Sequence, residues 1–218
     1  MLAGIVLFIA IALAVRSGMT NGFDRSILLS MRHSGDLSPK GSIEFQEMAR
    51  DVTALGGTLV LSLVTIATAV FLWLDGKGRM GAFVGISVLL GSVLSTLLKD
   101  LFQRARPELV PHGMHVSNAS FPSGHSMLSA VTYLTLAALL ARSHERRRLK
   151  VYFVVVAVVL MVLVGLSRLY LGVHWPTDVL GGWTAGSVWA IACWMVARWL
   201  QDRHRLEAEA EHTPEDAE

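Results

Sequence analysis

Val151-Tyr-Phe-Val-Val-Val-Ala-Val-Val-Leu-Met-Val-Leu-Val-Gly-Leu166 holds sixteen residues without a charge, and the nine residues before it, Arg142-Ser-His-Glu-Arg-Arg-Arg-Leu-Lys150, hold five cations. An apolar run of this length is most of a crossing of a hydrocarbon core about 30 Å thick. A short basic loop stays on the cytoplasmic side of a membrane. Working outward, comparable runs lie at Leu55–Leu74, Met80–Leu98, Ser126–Ala141 and Val179–Leu200. Ser126–Ala141 and Val151–Leu166 are short, but flanking residues that face protein or a polar cavity can lengthen them. Met1–Val15 supplies a sixth candidate. Its Ala12-Leu13-Ala14 has the small-x-small form of a signal cleavage site, yet the basic n-region of a signal is missing, so a retained first helix is expected.

The sequence thus predicts an all-α fold, an integral membrane bundle of six transmembrane helices over residues 1–200. A polar, disordered cytoplasmic tail is expected over 201–218, where Glu and Ala alternate with too little apolar content to pack. The bulk numbers agree: 53% of residues are hydrophobic and 17% charged, with a mean hydropathy of +0.51, which is a membrane composition. The formal net charge of +2 is gathered in short loops and offers no face that could track nucleic acid. Cys193 is the sole cysteine, which excludes an internal disulfide and a thiolate metal site.

With six crossings, Lys77 and Arg79 in one loop and Arg198, Arg203 and Arg205 after the last span fall on the cytoplasmic side with Arg142–Lys150. Arg16–Ala54, Lys99–His125 and Ser167–Asp178 then share the external face. Within Arg16–Ala54, Phe23, Ile27 and Met31 recur at helical spacing, as do Phe45, Met48, Ala49 and Val52, a pattern of short interfacial helices covering the bundle mouth. The pairs Gly81-x3-Gly85 and Gly182-x3-Gly186 are expected to let helices approach closely.

Each remaining external segment sets polar and ionisable residues against the end of an apolar helix. In Lys99-Asp-Leu-Phe-Gln-Arg-Ala-Arg106-Pro107 the two outer cations lie close to two helical turns apart and can point the same way, with Pro107 favouring the helix end. Phe121-Pro122-Ser123-Gly124-His125-Ser126 is a turn into an apolar helix. Small Ser123 and Gly124 there let an anion approach backbone N–H groups at the positive end of the helix dipole. In Ser167-Arg168 through His174-Trp-Pro176-Thr-Asp178, Pro176 fits the first helical turn. That puts His174 just outside the helix and Asp178 about a turn along. A carboxylate on one imidazole nitrogen fixes the tautomer and leaves the other nitrogen a free lone pair, so His174 is the candidate nucleophile.

Together these segments resemble the type 2 phosphatidic acid phosphatase family, whose pattern is Lys-x6-Arg-Pro, Pro-Ser-Gly-His and Ser-Arg-x5-His-x3-Asp. Lys99, Arg106, Pro107, Pro122, Ser123, Gly124, His125, Ser167, Arg168, His174 and Asp178 match it in residue, order and spacing. The resemblance implies that Lys99, Arg106 and Arg168 clamp the phosphate oxygens with the Ser123 hydroxyl and the Gly124 amide. It implies further that His174 attacks phosphorus to form a phosphohistidine, that Asp178 supports its ring, and that His125 protonates the departing oxygen. Three fixed cations can stabilise the charge of phosphoryl transfer, so neither metal nor cofactor is expected. A neutral His174 beside a protonated His125 implies a bell-shaped pH dependence. His112 and His115 match no family position and are expected to be solvated loop residues rather than metal ligands.

The expected substrate is a lipid phosphate in the surrounding membrane. A polyprenyl diphosphate such as undecaprenyl diphosphate is preferred because the site faces outward and the chain has a compact, prokaryotic look. Phosphatidylglycerol phosphate, phosphatidate and diacylglycerol diphosphate are chemically open. The expected location is a bacterial inner membrane, with the site facing the periplasm and the C-terminus in the cytoplasm. A phosphotransferase would use the same phosphohistidine. Vanadium-dependent haloperoxidases share the pocket architecture, but they are soluble. An anion pathway would need polar residues through the bilayer, where these apolar runs are almost free of charge.

Overall fold

The computed structural model describes residues 1–110 and 119–211, with side chains as far as Leu200. His112 and His115 therefore lie outside the described residues. Eight helices follow in order: α1 (Leu2–Arg16), α2 (Asn21–Ser30), α3 (Ile43–Ala54), α4 (Thr58–Leu74), α5 (Gly78–Phe102), α6 (Gly124–Arg142), α7 (Arg147–Tyr170) and α8 (Pro176–Glu211). Among the described residues the extended structure is one isolated bridge between Arg32 and Pro39.

α5, α6, α7 and residues Pro176–Leu200 of α8 are each long and apolar enough to cross a membrane. The other two expected spans come in broken form. α1 meets α2 at a 90° bend and α3 meets α4 at 44°, and each pair passes as one span. The count is four crossings, or six with the bent pairs. α8 continues as helix past Leu200 to Glu211, so the backbone of 201–211 is helical where composition pointed to a solvated tail.

α6 is the central helix, packed along α7 and α8 and touching α4 and α5, while α1 and α2 lie on α8 and α3 lies on α7. Large apolar side chains such as Leu63, Phe71, Leu89, Leu97, Val155 and Val159 stand exposed on the outer helices. Burying them would need partners that lipid tails provide. Indole donors tie the interior: Trp183 Nε1 donates to the Met161 carbonyl and Trp189 Nε1 to the Ser87 carbonyl, both at 2.9 Å.

Two glycines set the distance between α6 and α8. A Cβ on Gly182 would stand 2.7 Å from the Ser123 carbonyl oxygen, and one on Gly186 would stand 2.5 Å from that of Met127. Gly81 is equally confined, 2.7 Å from the Ala69 carbonyl oxygen, whereas Gly85 faces open space. Only one glycine of that second pair therefore serves close approach. Gly182→Val should push α8 off the start of α6, lowering stability by about 1–3 kcal/mol and lowering turnover with it. A thermal midpoint in detergent unchanged from the unsubstituted protein would contradict this packing.

The buried faces of the two short helices are partly polar. On α2 the buried residues are Asp24 and Leu28, and on α3 they are Ala49 and Thr53. Phe23, Phe45 and Met48 are about half exposed instead. These three turn outward, as suits a membrane interface, while Asp24 turns inward beside Leu28 and Thr53 beside Ala49.

Candidate active site

The C-terminal ends of α5 and α7 and the N-terminal ends of α6 and α8 meet at one end of the bundle, and every candidate site residue lies there. α5 closes at Gln103, in the left-handed conformation with φ 42°, whose N–H returns to the Lys99 carbonyl. The helix therefore stops before Arg106. That cation reaches the site from the following loop, not from the same helical face as Lys99, because the left-handed residue turns the chain several positions ahead of Pro107. Lys99 Nζ donates to the Ala119 carbonyl at 3.0 Å. Gly124 lies against the same side chain, its Cβ position 3.4 Å from Lys99 Cε.

Ser123 caps α6, with Oγ accepting from the Ser126 hydroxyl at 2.9 Å and from the Ser126 N–H at 3.4 Å. The Ser123 N–H donates to the Asp178 carbonyl at 2.9 Å, locking the two helix starts together. The His125 side chain, on the first turn of α6, makes no hydrogen bond to another described residue. Arg168 on α7 is 1% exposed, and its Nη1 donates to Thr53 Oγ1 at 3.1 Å. Ser167 turns away, its hydroxyl donating to the Val164 carbonyl.

His174 lies in the loop before α8 and is 1% exposed. Its Nδ1 is 3.4 Å from Asp178 Oδ2, and the same oxygen accepts the Trp175 N–H at 2.9 Å. Asp178 thus caps the helix it stands on while facing the imidazole. On the other side of the ring Nε2 lies 3.1 Å from Arg106 Nη1. A guanidinium can only donate, so Nε2 is the acceptor and Nδ1 carries the proton. Burial pushes the imidazole down to about 4, against the pull of Asp178, which keeps it neutral at neutral pH. Arg106, Arg168 and His125 lie within electrostatic reach of His174, and Lys99 within reach of Arg106, Arg168 and His125. Three cations and two imidazoles, one of them neutral and oriented, meet at this end of the bundle, an arrangement able to hold an anion.

The family model described as PAP2 superfamily matches residues 81–202, more than half of the chain. The chain belongs to the PAP2 superfamily. It is 35% identical over 143 residues to phosphatidylglycerophosphatase B of Bacillus subtilis, covering 64% of this chain and 69% of that protein. It is 30% identical over 125 residues to an undecaprenyl-diphosphatase of Sulfolobus acidocaldarius, covering 55% and 56%. A solved structure described as a transmembrane PAP2 type phosphatidylglycerolphosphate phosphatase from Bacillus subtilis superposes with a TM-score of 0.77 at 25% identity. It covers 99% of this chain and 98% of that one.

Outside the PAP2 motifs, the site end contains buried polar residues that motif reading passed over. Asp24 on α2, Arg104 after α5 and Thr177 on α8 form one hydrogen-bonded cluster. Thr53 on α3 holds Arg168, and Arg32, 2% exposed, donates to the Tyr170 carbonyl at the end of α7 at 2.7 Å. The available signal was the helical register of α2, in which an acid and Leu28 share one face at i, i+4.

Proposed function

We propose that this membrane lipid phosphatase of the PAP2 type cleaves a terminal phosphate from its lipid through a phosphohistidine on His174. The observation that carries the reading is the imidazole itself: buried, neutral, with Nδ1 toward Asp178 and Nε2 toward the cation cluster. Lys99, Arg106 and Arg168 take the equatorial oxygens, with the Ser123 hydroxyl and the Gly124 amide at the positive end of α6. Nε2 attacks phosphorus in line as the ester or anhydride oxygen departs, and His125 supplies the proton that oxygen needs. Water then attacks the phosphohistidine, releasing phosphate and restoring the neutral ring.

The loop-charge pattern of the sequence supports a site on the external face and a cytoplasmic C-terminus. Undecaprenyl diphosphate, favoured by that outward site, and phosphatidylglycerophosphate, named for the 35% identical relative, are the two substrates to compare first. The test is phosphate release from a panel containing both lipids by detergent-purified protein in EDTA. Release that survives chelation supports direct cation and histidine catalysis and ranks the lipids. Release abolished by EDTA and restored by a divalent metal would overturn it, and no release without an added acceptor would favour the transferase.

His125→Gln should slow release from a lipid monoester by about a thousandfold. The loss should be much smaller for 4-nitrophenyl phosphate, whose leaving group needs no proton. Equal losses on both substrates would remove His125 from the acid role.

A further inference from the structure

Asp24 is fully buried although it lies on α2, far in sequence from every motif. Its Oδ1 accepts the Thr177 N–H at 2.9 Å, and its Oδ2 accepts from the Thr177 hydroxyl and from Arg104 Nη2, both at 2.7 Å. The same guanidinium donates through Nη1 to Thr177 Oγ1 at 2.9 Å and to Asp178 Oδ1 at 2.6 Å. The Trp175 ring lies beneath it, 5.6 Å from Cζ. One arginine is shared between two buried carboxylates, and one of these faces His174. With Oδ1 held by Arg104, Oδ2 is left for the Trp175 N–H and for His174 Nδ1.

We propose that Arg104 and Asp24 are positioning residues for the phosphoryl-transfer step: Arg104 fixes the plane and tempers the charge of the Asp178 carboxylate, and Asp24 fixes and partly neutralises Arg104. The inference rests on His174 being the nucleophile. It extends the Asp178–His174 pair by two members and gives α2 a part in the chemistry. A buried carboxylate with no counter-cation would strengthen the basicity of the ring beside it, and an arginine with no second carboxylate would weaken it. Asp178 from α8, Arg106 from the loop after α5, Arg168 from α7 and His125 from α6 act on His174 directly, Lys99 from α5 faces Asp178, and Arg104 and, behind it, Asp24 from α2 act on the ring through Asp178.

The two charges act in opposite directions on the same ring, which gives a signature that loss of packing cannot mimic. In Arg104→Gln one limb of the kcat/KM profile against pH should move up by about one unit, and in Asp24→Asn the same limb should move down by a smaller amount. Each variant should lose about tenfold to a hundredfold in kcat, with KM little changed. The double variant removes one charge of each sign, so its limb should return toward that of the unsubstituted protein while kcat stays low. Rates are taken per folded protein, by elution and thermal midpoint in detergent. Arg104→Lys, which keeps the charge but not the double reach, should lower kcat with a smaller shift and serves if Arg104→Gln does not fold. Limbs that stay put, or move the same way in both single variants, would overturn the proposal. His174→Gln is assayed alongside: if it retains turnover, the nucleophile assignment fails, whereas an inactive His174→Gln with unmoved limbs removes only the Asp24–Arg104 device.

Discussion

His174→Gln should leave kcat at least about four orders of magnitude below that of the intact protein, the scale lost when a covalent nucleophile is deleted. Glutamine keeps much of the volume and a hydrogen-bonding end, so a site this enclosed should hold its shape. The anion contacts remain too, and phosphate should still inhibit by binding. Intact protein quenched in base after mixing with a phosphorus-labelled lipid should carry label on His174, and the variant should carry none. Label on another residue, or turnover within tenfold of the intact protein, would sink the assignment. The ring's low value, about 4, fixes the pH expectation. Protonation silences the lone pair, so the contribution of His174 is present above that value and is lost as pH falls through it. The limb it sets should therefore lie well below the ordinary histidine range. Arg106 Nη1 donates toward Nε2, so on the proposed mechanism a substrate phosphate draws that N–H to its own oxygen before the lone pair attacks. On that mechanism, phosphate binding and unmasking of the nucleophile are one event.

How much of this was legible in the sequence differs by element. The all-helical fold and the long crossings α5 to α8 follow from hydrophobic run length, a signal that needs no knowledge of neighbours. The convergence of Lys99, Arg106, Ser123, Gly124, His125, Arg168, His174 and Asp178 was legible because each lies at or a few residues beyond a helix end, and in a bundle alternate ends share a side. The route taken by Arg106 was not. Periodicity from Lys99 extends a helix that in fact stops at a left-handed Gln103, and nothing in Phe102-Gln103-Arg104 announces that turn. On α2 and α3 the large apolar residues Phe23, Phe45 and Met48 face outward. In a membrane the hydrophobic side of a short helix can be the outside, so the rule that apolar means buried inverts. Asp24 and Thr53 were hidden by that inversion. Their partners, Arg104 and Arg168, lie 80 and 115 residues away, beyond any local pattern.

Asp178→Asn is expected to cost about four orders of magnitude in kcat, comparable to the loss when a histidine's orienting carboxylate becomes an amide. The reason lies in the number of donors around the group. Asp178 accepts from Arg104 on Oδ1 at 2.6 Å and from the Trp175 N–H on Oδ2 at 2.9 Å, with His174 Nδ1 3.4 Å from Oδ2. An asparagine has one acceptor oxygen for these donors. With that oxygen toward Trp175 and His174, the amide NH2 confronts the Arg104 guanidinium. With the amide reversed, NH2 meets Nδ1 and imposes the opposite tautomer, which puts the proton on Nε2 and removes the lone pair that attacks. Either orientation leaves a buried donor unmatched, and loss of the buried charge from the Arg104 pair adds a stability cost of about 3–5 kcal/mol. A catalytic loss and a structural one remain separable. Arg106 keeps its bond to the Val173 carbonyl whichever ring nitrogen carries the proton, and Lys99 and Arg168 are held by the Ala119 carbonyl and Thr53, so inorganic phosphate should inhibit any residual turnover of the variant, measured with excess protein, nearly as tightly as it inhibits the intact protein. Phosphate affinity that falls in proportion to kcat would mean that the anion site itself had collapsed, and Asp178 would then be a structural cap rather than the residue that orients the nucleophile.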